Sequence, residues 1–234
     1  MKNIIKTSLA VALIDTSASA AVIDFEGFAS GRIIDDEYAP AVTISARNFS
    51  AGPDFAVIFD TDNPTGGDND LGAPFNSLNA GLTQDYRPGN VLIIQERNNC
   101  KLTAGFCTVA DDEGSRPAGQ IRFTFASPVI LQSLDFFDIE TDETNPKKSA
   151  VQLFDINDKE ILAGTFSVPS TGGDNLWSQL VFGNVEGVKR LKITMAGSGA
   201  IDNLTYVPVP AAVWLFGSAL IGLWGLRRRA ARAA

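Results

Sequence analysis

The sequence predicts an all-β fold, a two-sheet antiparallel β-sandwich of jelly-roll-like form, with an N-terminal signal peptide before it and a C-terminal transmembrane helix after it. Three observations predict the sandwich. Apolar and polar residues alternate over short runs: Ile121, Phe123 and Phe125 face one way while Arg122 and Thr124 face the other, and Leu191, Ile193 and Met195 oppose Arg190, Lys192 and Thr194. The connections are rich in Gly, Pro, Asn and Asp, as in Asn63-Pro64-Thr65-Gly66-Gly67-Asp68; these residues supply turn dihedrals or bond to their own backbone. No helical period of useful length occurs between Ala21 and Val207. About eleven strands follow, at 22–25, 42–46, 55–59, 91–95, 120–125, 133–139, 150–154, 161–166, 176–182, 190–195 and 200–206. Many short strands with frequent turns bury their apolar faces best as two packed sheets. No repeat or low-complexity linker divides residues 21–206, which therefore form one domain.

The ends are built differently. Lys2 and Lys6 supply a positive region, residues 8–14 a short apolar run, and Ala18-Ser19-Ala20 a small-residue cleavage pattern; residues 1–20 thus have the layout of a secretory signal peptide. Asp15 departs from the pattern, because a carboxylate at the end of the run opposes insertion. Cleavage there starts the mature chain just before Val22-Ile23-Asp24-Phe25-Glu26, where the first strand pattern begins.

Charge is unevenly placed. Of 19 basic and 27 acidic residues, the leader and tail take six basic ones (Lys2, Lys6, Arg227, Arg228, Arg229 and Arg232) and one acidic one, Asp15, which leaves the central domain at −13. Such a surface repels nucleic acid and anionic lipid and attracts cations. Two cysteines, Cys100 and Cys107, lie in the exported part, and an even count in an oxidising compartment predicts a disulfide across a loop excursion.

From Val207 to Leu226 the chain carries no charge over 20 residues, with Trp214, Leu215, Phe216, Leu220, Ile221, Leu223 and Trp224 on all sides of a helix. That length suits a bilayer crossing. Arg227-Arg228-Arg229 follow at once and stay cytoplasmic under the positive-inside rule. The order Val207-Pro208-Val209-Pro210, apolar helix, arginine cluster resembles a PEP-CTERM sorting tail over residues 207–234, in a Val-Pro-x-Pro variant with Val209 where the named motif has glutamate. The resemblance implies processing by an exosortase-type enzyme, an inner-membrane anchor during sorting, and a final place in the envelope or extracellular matrix of a Gram-negative, exopolysaccharide-making cell.

The chain has no histidine, which excludes the usual serine and cysteine triads, histidine metal centres and histidine acid–base catalysis. Carboxylates remain. The densest acidic segment runs from Asp60 to Gly72 and holds Asp60, Asp62, Asp68 and Asp70 on a glycine-bearing loop. Hard oxygens in this number suit calcium, although Pro64 in the fifth position and the lack of a glutamate in the twelfth exclude an EF-hand. The same residues equally describe a solvated turn.

A second constellation is split between the ends of the domain, Asp24 and Glu26 in the first strand and Asp202 in the last. Asp24-Phe25-Glu26 and Ala200-Ile201-Asp202-Asn203-Leu204 resemble the ends of MAM-like and related jelly-roll ligand-binding domains, in which terminal-strand carboxylates hold a structural cation. The wider arrangement resembles exported β-domains of unassigned activity found beside this kind of tail. Three functions stay open: a structural or adhesive envelope protein stiffened by calcium, a calcium-dependent carbohydrate-binding module, and a glycoside hydrolase using two carboxylates among Asp135, Asp138, Glu140, Asp142 and Glu143. Trp177, the only tryptophan of the domain, reads either as a sugar-stacking surface or as a buried sheet-end residue.

Overall fold

The computed structural model describes residues 19–98, 100–112, 116–145 and 148–209. The segment expected to be a signal peptide, but for its last two residues, the residues expected to form the transmembrane helix from Pro210 on, and the arginine cluster lie outside the described residues. Among those described, no helix is long and apolar enough to cross a membrane.

Residues Ala20–Val209 form one compact unit. Its strands are β1 (Ala21–Ile23), β2 (Val42–Asn48), β3 (Ala56–Asp60), β4 (Asn90–Ile94), β5 (Leu102–Thr103), β6 (Phe106–Cys107), β7 (Gly119–Phe137), β8 (Ala150–Phe154), β9 (Glu160–Ile161), β10 (Trp177–Met195) and β11 (Ala200–Pro208), with a short 3-10 helix at Thr141–Thr144. The all-β expectation holds. The last strand extends past residue 206, since Val207 and Pro208 pair with Ile130 and Val129.

The two sheets are unequal: a nine-stranded antiparallel sheet, ordered β3-β4-β11-β7-β10-β8-β9 with β1 on β11 and β2 on β7, and a small β5-β6 sheet. The reason lies in β7 and β10, each 19 residues long. Each joins two segments that the sequence separates at turn-type residues. Gly183, Asn184 and Gly187 do adopt φ of 70°, 64° and 77°, but they form bulges: the β10–β7 register shifts between Val181, Val185, Val188 and Arg190 without breaking the pairing. Both halves of this sheet close on one apolar cluster, which unites Ile44, Phe123 and Phe125 with Leu92, Leu134, Phe136 and Ile201. The result is sandwich-like with continuous hydrogen bonding.

Strands β3 and β4 show why the loops are ordered. Ala56-Val57-Ile58-Phe59 and Val91-Leu92-Ile93-Ile94 are apolar on both faces and buried on both. One face joins the central cluster. The other carries Val57, Phe59, Val91, Ile93, Phe137 and Ala200, and is covered by Leu71, Phe75, Ala110 and Trp177. A sheet face that apolar must be capped. Each fully buried phenylalanine is worth roughly 1.5–3 kcal/mol over an exposed one, so the covering segments are held down by transfer energy. Cys100 and Cys107 form the expected disulfide, with Cα atoms 4.9 Å apart. It closes the β5–β6 hairpin and constrains the unfolded chain by on the order of 2–3 kcal/mol.

Candidate metal centres

The acidic segment after β3 divides into two parts with different fates. Asp60 Oδ1 accepts from the Asp62 amide at 3.0 Å and Oδ2 from Asn63 Nδ2 at 2.8 Å, which makes it a turn residue. Asp62 is exposed and receives Arg87 Nη1 at 2.5 Å. Their carboxylates are spent on a surface turn and an ion pair. Gly66 and Gly67 then reverse the chain at φ of 72° and 94°, Thr65 Oγ1 donates to the Ala110 carbonyl at 2.7 Å, and Leu71 enters the loop-side core. This turn drives Asp68 inward until it is 1% exposed.

Neither oxygen of Asp68 has a hydrogen-bond partner. Its carboxyl is pushed up to about 12, by burial first and then by the neighbouring carboxyls of Asp112 and Asp70. Asp112, also 1% exposed, is oriented by the Gly199 amide, which donates to Oδ2 at 2.7 Å, while its Oδ1 is unpartnered. Asp138 follows the end of β7 in a left-handed conformation, φ 55°, and is buried with Oδ1 unpartnered. Burial, then the charges of Asp112 and Asp70, raise it to about 8. Half-buried Asp70 also lines a surface cavity of about 320 Å³ with Gly67, Asn69, Asp174 and Asn175.

The second constellation assembles through strand pairing. Ile23 of β1 stands opposite Leu204 of β11, which brings Asp24 and Glu26 toward Asp202. Asp202 is 1% exposed, and its Oδ1 has no partner. Burial raises its carboxyl to about 9, with further contributions from Asp135, Glu26 and Asp24. Asp135, its cross-strand neighbour on β7, is already satisfied: Gln179 Nε2 donates to Oδ1 at 2.9 Å and Asn203 Nδ2 to Oδ2 at 3.1 Å. Asp24 Oδ1 accepts from the Glu26 amide at 3.3 Å. Glu26 Oε1 accepts from the Asn90 amide at 2.7 Å, beside Gly89, whose φ of 76° favours glycine.

Two acidic groups elsewhere differ in kind. Asp35, Asp36 and Glu37 can bring one oxygen each within 4.8 Å of the others. Glu37 is nevertheless occupied: Arg32 Nε and Nη2 donate to Oε1 at 2.9 and 2.6 Å, and the Asp35 amide to Oε2 at 2.8 Å. Glu143, 3% exposed, lies against Glu140 and 2.9 Å from Arg116 Nη2, beside a cavity of about 360 Å³ lined by Phe49, Arg116, Asp142 and Lys148.

Trp177 is 5% exposed. Its Nε1 donates to the Thr83 carbonyl at 2.9 Å and its ring packs on Tyr86 and Phe137, so it offers no stacking platform. Of the acidic residues singled out in the sequence, Asp70 neighbours Asp68, and Asp24 and Glu26 lie near enough to Asp202 to raise its carboxyl, but among the described residues only Asp35, Asp36 and Glu37 bring three carboxylate oxygens within 4.8 Å of one another. Asp60 and Asp62 belong to neither grouping. Sequence reasoning missed Asp112 altogether and gave Asp135 and Asp138 no metal role. The only local signal for Asp138 is a carboxylate interrupting Phe136-Phe137 and Ile139, and for Asp112 there is none. No known protein-family model matches this sequence, and comparison with curated proteins finds no match.

Proposed function

We propose that this chain is an exported structural or adhesive envelope protein, whose two-layer, jelly-roll-like β-domain is locked by calcium where its first and last strands meet. The supporting observation is the buried, unpartnered Oδ1 of Asp202 at the point where β1–β11 pairing gathers Asp24 and Glu26. Calcium accepts six to eight oxygens in flexible geometry, whereas magnesium demands a tight octahedron and gives up water reluctantly. An ion bound only by the folded state stabilises it by roughly 2.7 kcal/mol at a hundredfold excess over Kd. Millimolar calcium should therefore raise the melting temperature, and magnesium much less. Asp202→Asn should remove the part of that shift due to this site. Identical melting of wild type and variant across a calcium titration would overturn the assignment.

Export and sorting rest on the leader and the tail. The Val-Pro-x-Pro segment ahead of the apolar run would be read by an exosortase-type enzyme while the helix holds the protein in the inner membrane. Replacing Pro208 and Pro210 by alanine should leave export intact and block tail processing in the native host. Mass spectrometry of the envelope-associated protein checks this, and a C-terminus identical to wild type would sink the sorting proposal.

A calcium-dependent carbohydrate-binding role is the second reading. It is favoured by an open cavity lined by Phe49, a residue 41% exposed, together with Arg116, Asp142 and Lys148. A glycan array with and without calcium separates binding from a purely structural role. The hydrolase alternative is weakened by contact between Glu140 and Glu143, because a glycosidase needs its two carboxyls about 5 Å or more apart to admit the bond.

A further inference from the structure

The domain carries a net −13, yet one of its faces is basic. Strands β2, β7, β10 and β8 lie side by side in one antiparallel register. Ile44, Phe123, Leu191 and Leu153 share a row of that register and turn inward to the central cluster. Side chains alternate along a strand, so the rows on either side turn outward. One outward row is Ser45, Arg122, Lys192 and Gln152; Arg190 lies two residues along β10 from Lys192, and Arg47 two along β2 from Ser45.

Arg122 stands directly opposite Lys192. Residues so paired have Cβ atoms about 4.5–5.5 Å apart, and like charges there repel. An acid beside them would relieve this, but among the described residues no ion pair reaches Arg47, Arg122 or Lys192. Arg32, Arg87, Arg97, Arg116 and Arg190 each have an acidic partner. Arg122 Nε is buried and has no hydrogen-bond partner. The two acids at the edge of the face are occupied: Asp158 pairs with Arg190 at 2.5 Å, and Glu160 accepts from Gln152 Nε2 at 3.2 Å. The cations rest on aromatic rings, Lys192 Nζ 5.8 Å from the centroid of Phe154 and the Arg47 guanidinium 5.8 Å from that of Phe49.

We infer that the outer face of β2, β7, β10 and β8, centred on Arg122 and Lys192, binds an acidic polysaccharide through its carboxylates. Four strands about 4.8 Å apart make an open face roughly 14 Å across, which suits an extended chain better than a small ion. Gln120, Thr124 and Thr194 lie on the same face, and their amide and hydroxyl groups both donate and accept, as sugar hydroxyls do. Nucleic acid fits less well. Its dense phosphate charge is repelled by a domain at −13, and Phe154 is covered by Arg190, 4.3 Å from its centroid, so it offers bases no stacking platform. The inference goes beyond the readings above, since it needs no calcium and uses none of the residues around Asp202.

The experiment is calorimetric titration of the full chain, in non-ionic detergent, chelator and low salt, with polygalacturonate, neutral dextran and duplex DNA. The wild type should bind polygalacturonate, with affinity falling steeply as salt rises, and should not bind dextran. Arg122→Gln with Lys192→Gln should weaken binding about tenfold or more and melt no lower than wild type, because it removes a like-charge pair. Arg47→Gln, on an exposed side chain, should weaken it about threefold and decides the matter if the double variant melts low. Arg87→Gln with Lys101→Gln removes the same charge from outside the face and should keep wild-type affinity. Weakening confined to the Arg47, Arg122 and Lys192 variants upholds the inference, whatever calcium does to melting. Equal weakening in both double variants, a folded wild type that does not bind polygalacturonate, or tighter binding of DNA overturns it.

Discussion

Phe137→Ala should destabilise the domain by about 3–5 kcal/mol, the range for deleting a fully buried aromatic ring. Phe137 closes β7, is wholly buried, and lies opposite Ala200 of β11 and Trp177 of β10. Its ring packs edge-on to Phe75 at 4.9 Å and also meets Tyr86 and Trp177, so it is the floor on which the 61–89 loop rests. The variant should therefore lose stability and also loosen the 61–89 loop, which limited proteolysis reads. Phe123→Ala provides the control, for it removes an equally buried ring from the central cluster away from that loop. A comparable drop in urea midpoint with the loop still protected from protease is expected there. Denaturant titration and limited proteolysis below the midpoint read the two effects. A loss under about 1 kcal/mol for Phe137→Ala would mean that the loop layer does not pack on this face.

The second large effect is on pH dependence and comes from Glu143. Its carboxyl is buried, lies against Glu140 and is approached by Arg116 at 2.9 Å. Burial and the Glu140 carboxyl raise it to about 9, against the lowering influence of Arg116 and of the Glu140 amide, which donates to Oε2 at 3.2 Å. Asp142 and Lys148 line the cavity beside it, and the Glu143 side chain leaves no room for a Cβ on Gly197. A carboxyl that keeps its proton in the folded state and loses it in the unfolded one stabilises the fold fully below about pH 4.5. That stability is lost as pH rises toward 9, at a slope of up to roughly 1 kcal/mol per pH unit.

Glu143→Gln abolishes the titration and can still accept from Arg116. The variant should melt near wild type at pH 4.5 and above it at pH 8, with the gap widening steadily between. Thermal melts in chelator across that range check it. Parallel curves would mean that the Arg116 ion pair wins and Glu143 is ionised throughout.

Much of the fold was legible locally. Strands β2 and β8, the segments at 120–125 and 190–195, and the turn residues between strands follow from alternation and turn chemistry, because side-chain direction in a strand repeats every two residues. The disulfide followed from an even cysteine count and the expectation of export. The extent of β7 and β10 was not legible. Gly183, Asn184 and Gly187 have the same local preferences in a bulge as in a turn, and only the partner strand determines whether the ladder resumes. Buried β3 and β4 were visible as apolar runs, but their outer cover was not, since it comes from loops with no periodicity.

The sites divide in the same way. By itself the sequence determined that histidine chemistry is excluded, that the domain is strongly acidic, and that Asp24, Glu26 and Asp202 approach one another if the terminal strands pair. Only the tertiary structure decided which acids are buried. Asp60 and Asp68 belong to one run of turn-forming residues, yet Asp60 caps its own turn while Asp68 is carried inside by the double-glycine reversal and the anchoring of Leu71. Asp112 reaches Asp68 from a segment 44 residues away, and Asp138 comes under the charges of Asp112 and Asp70 from the end of β7. Desolvation and mutual repulsion depend on neighbours in space, and a pattern along the chain records neighbours in sequence alone.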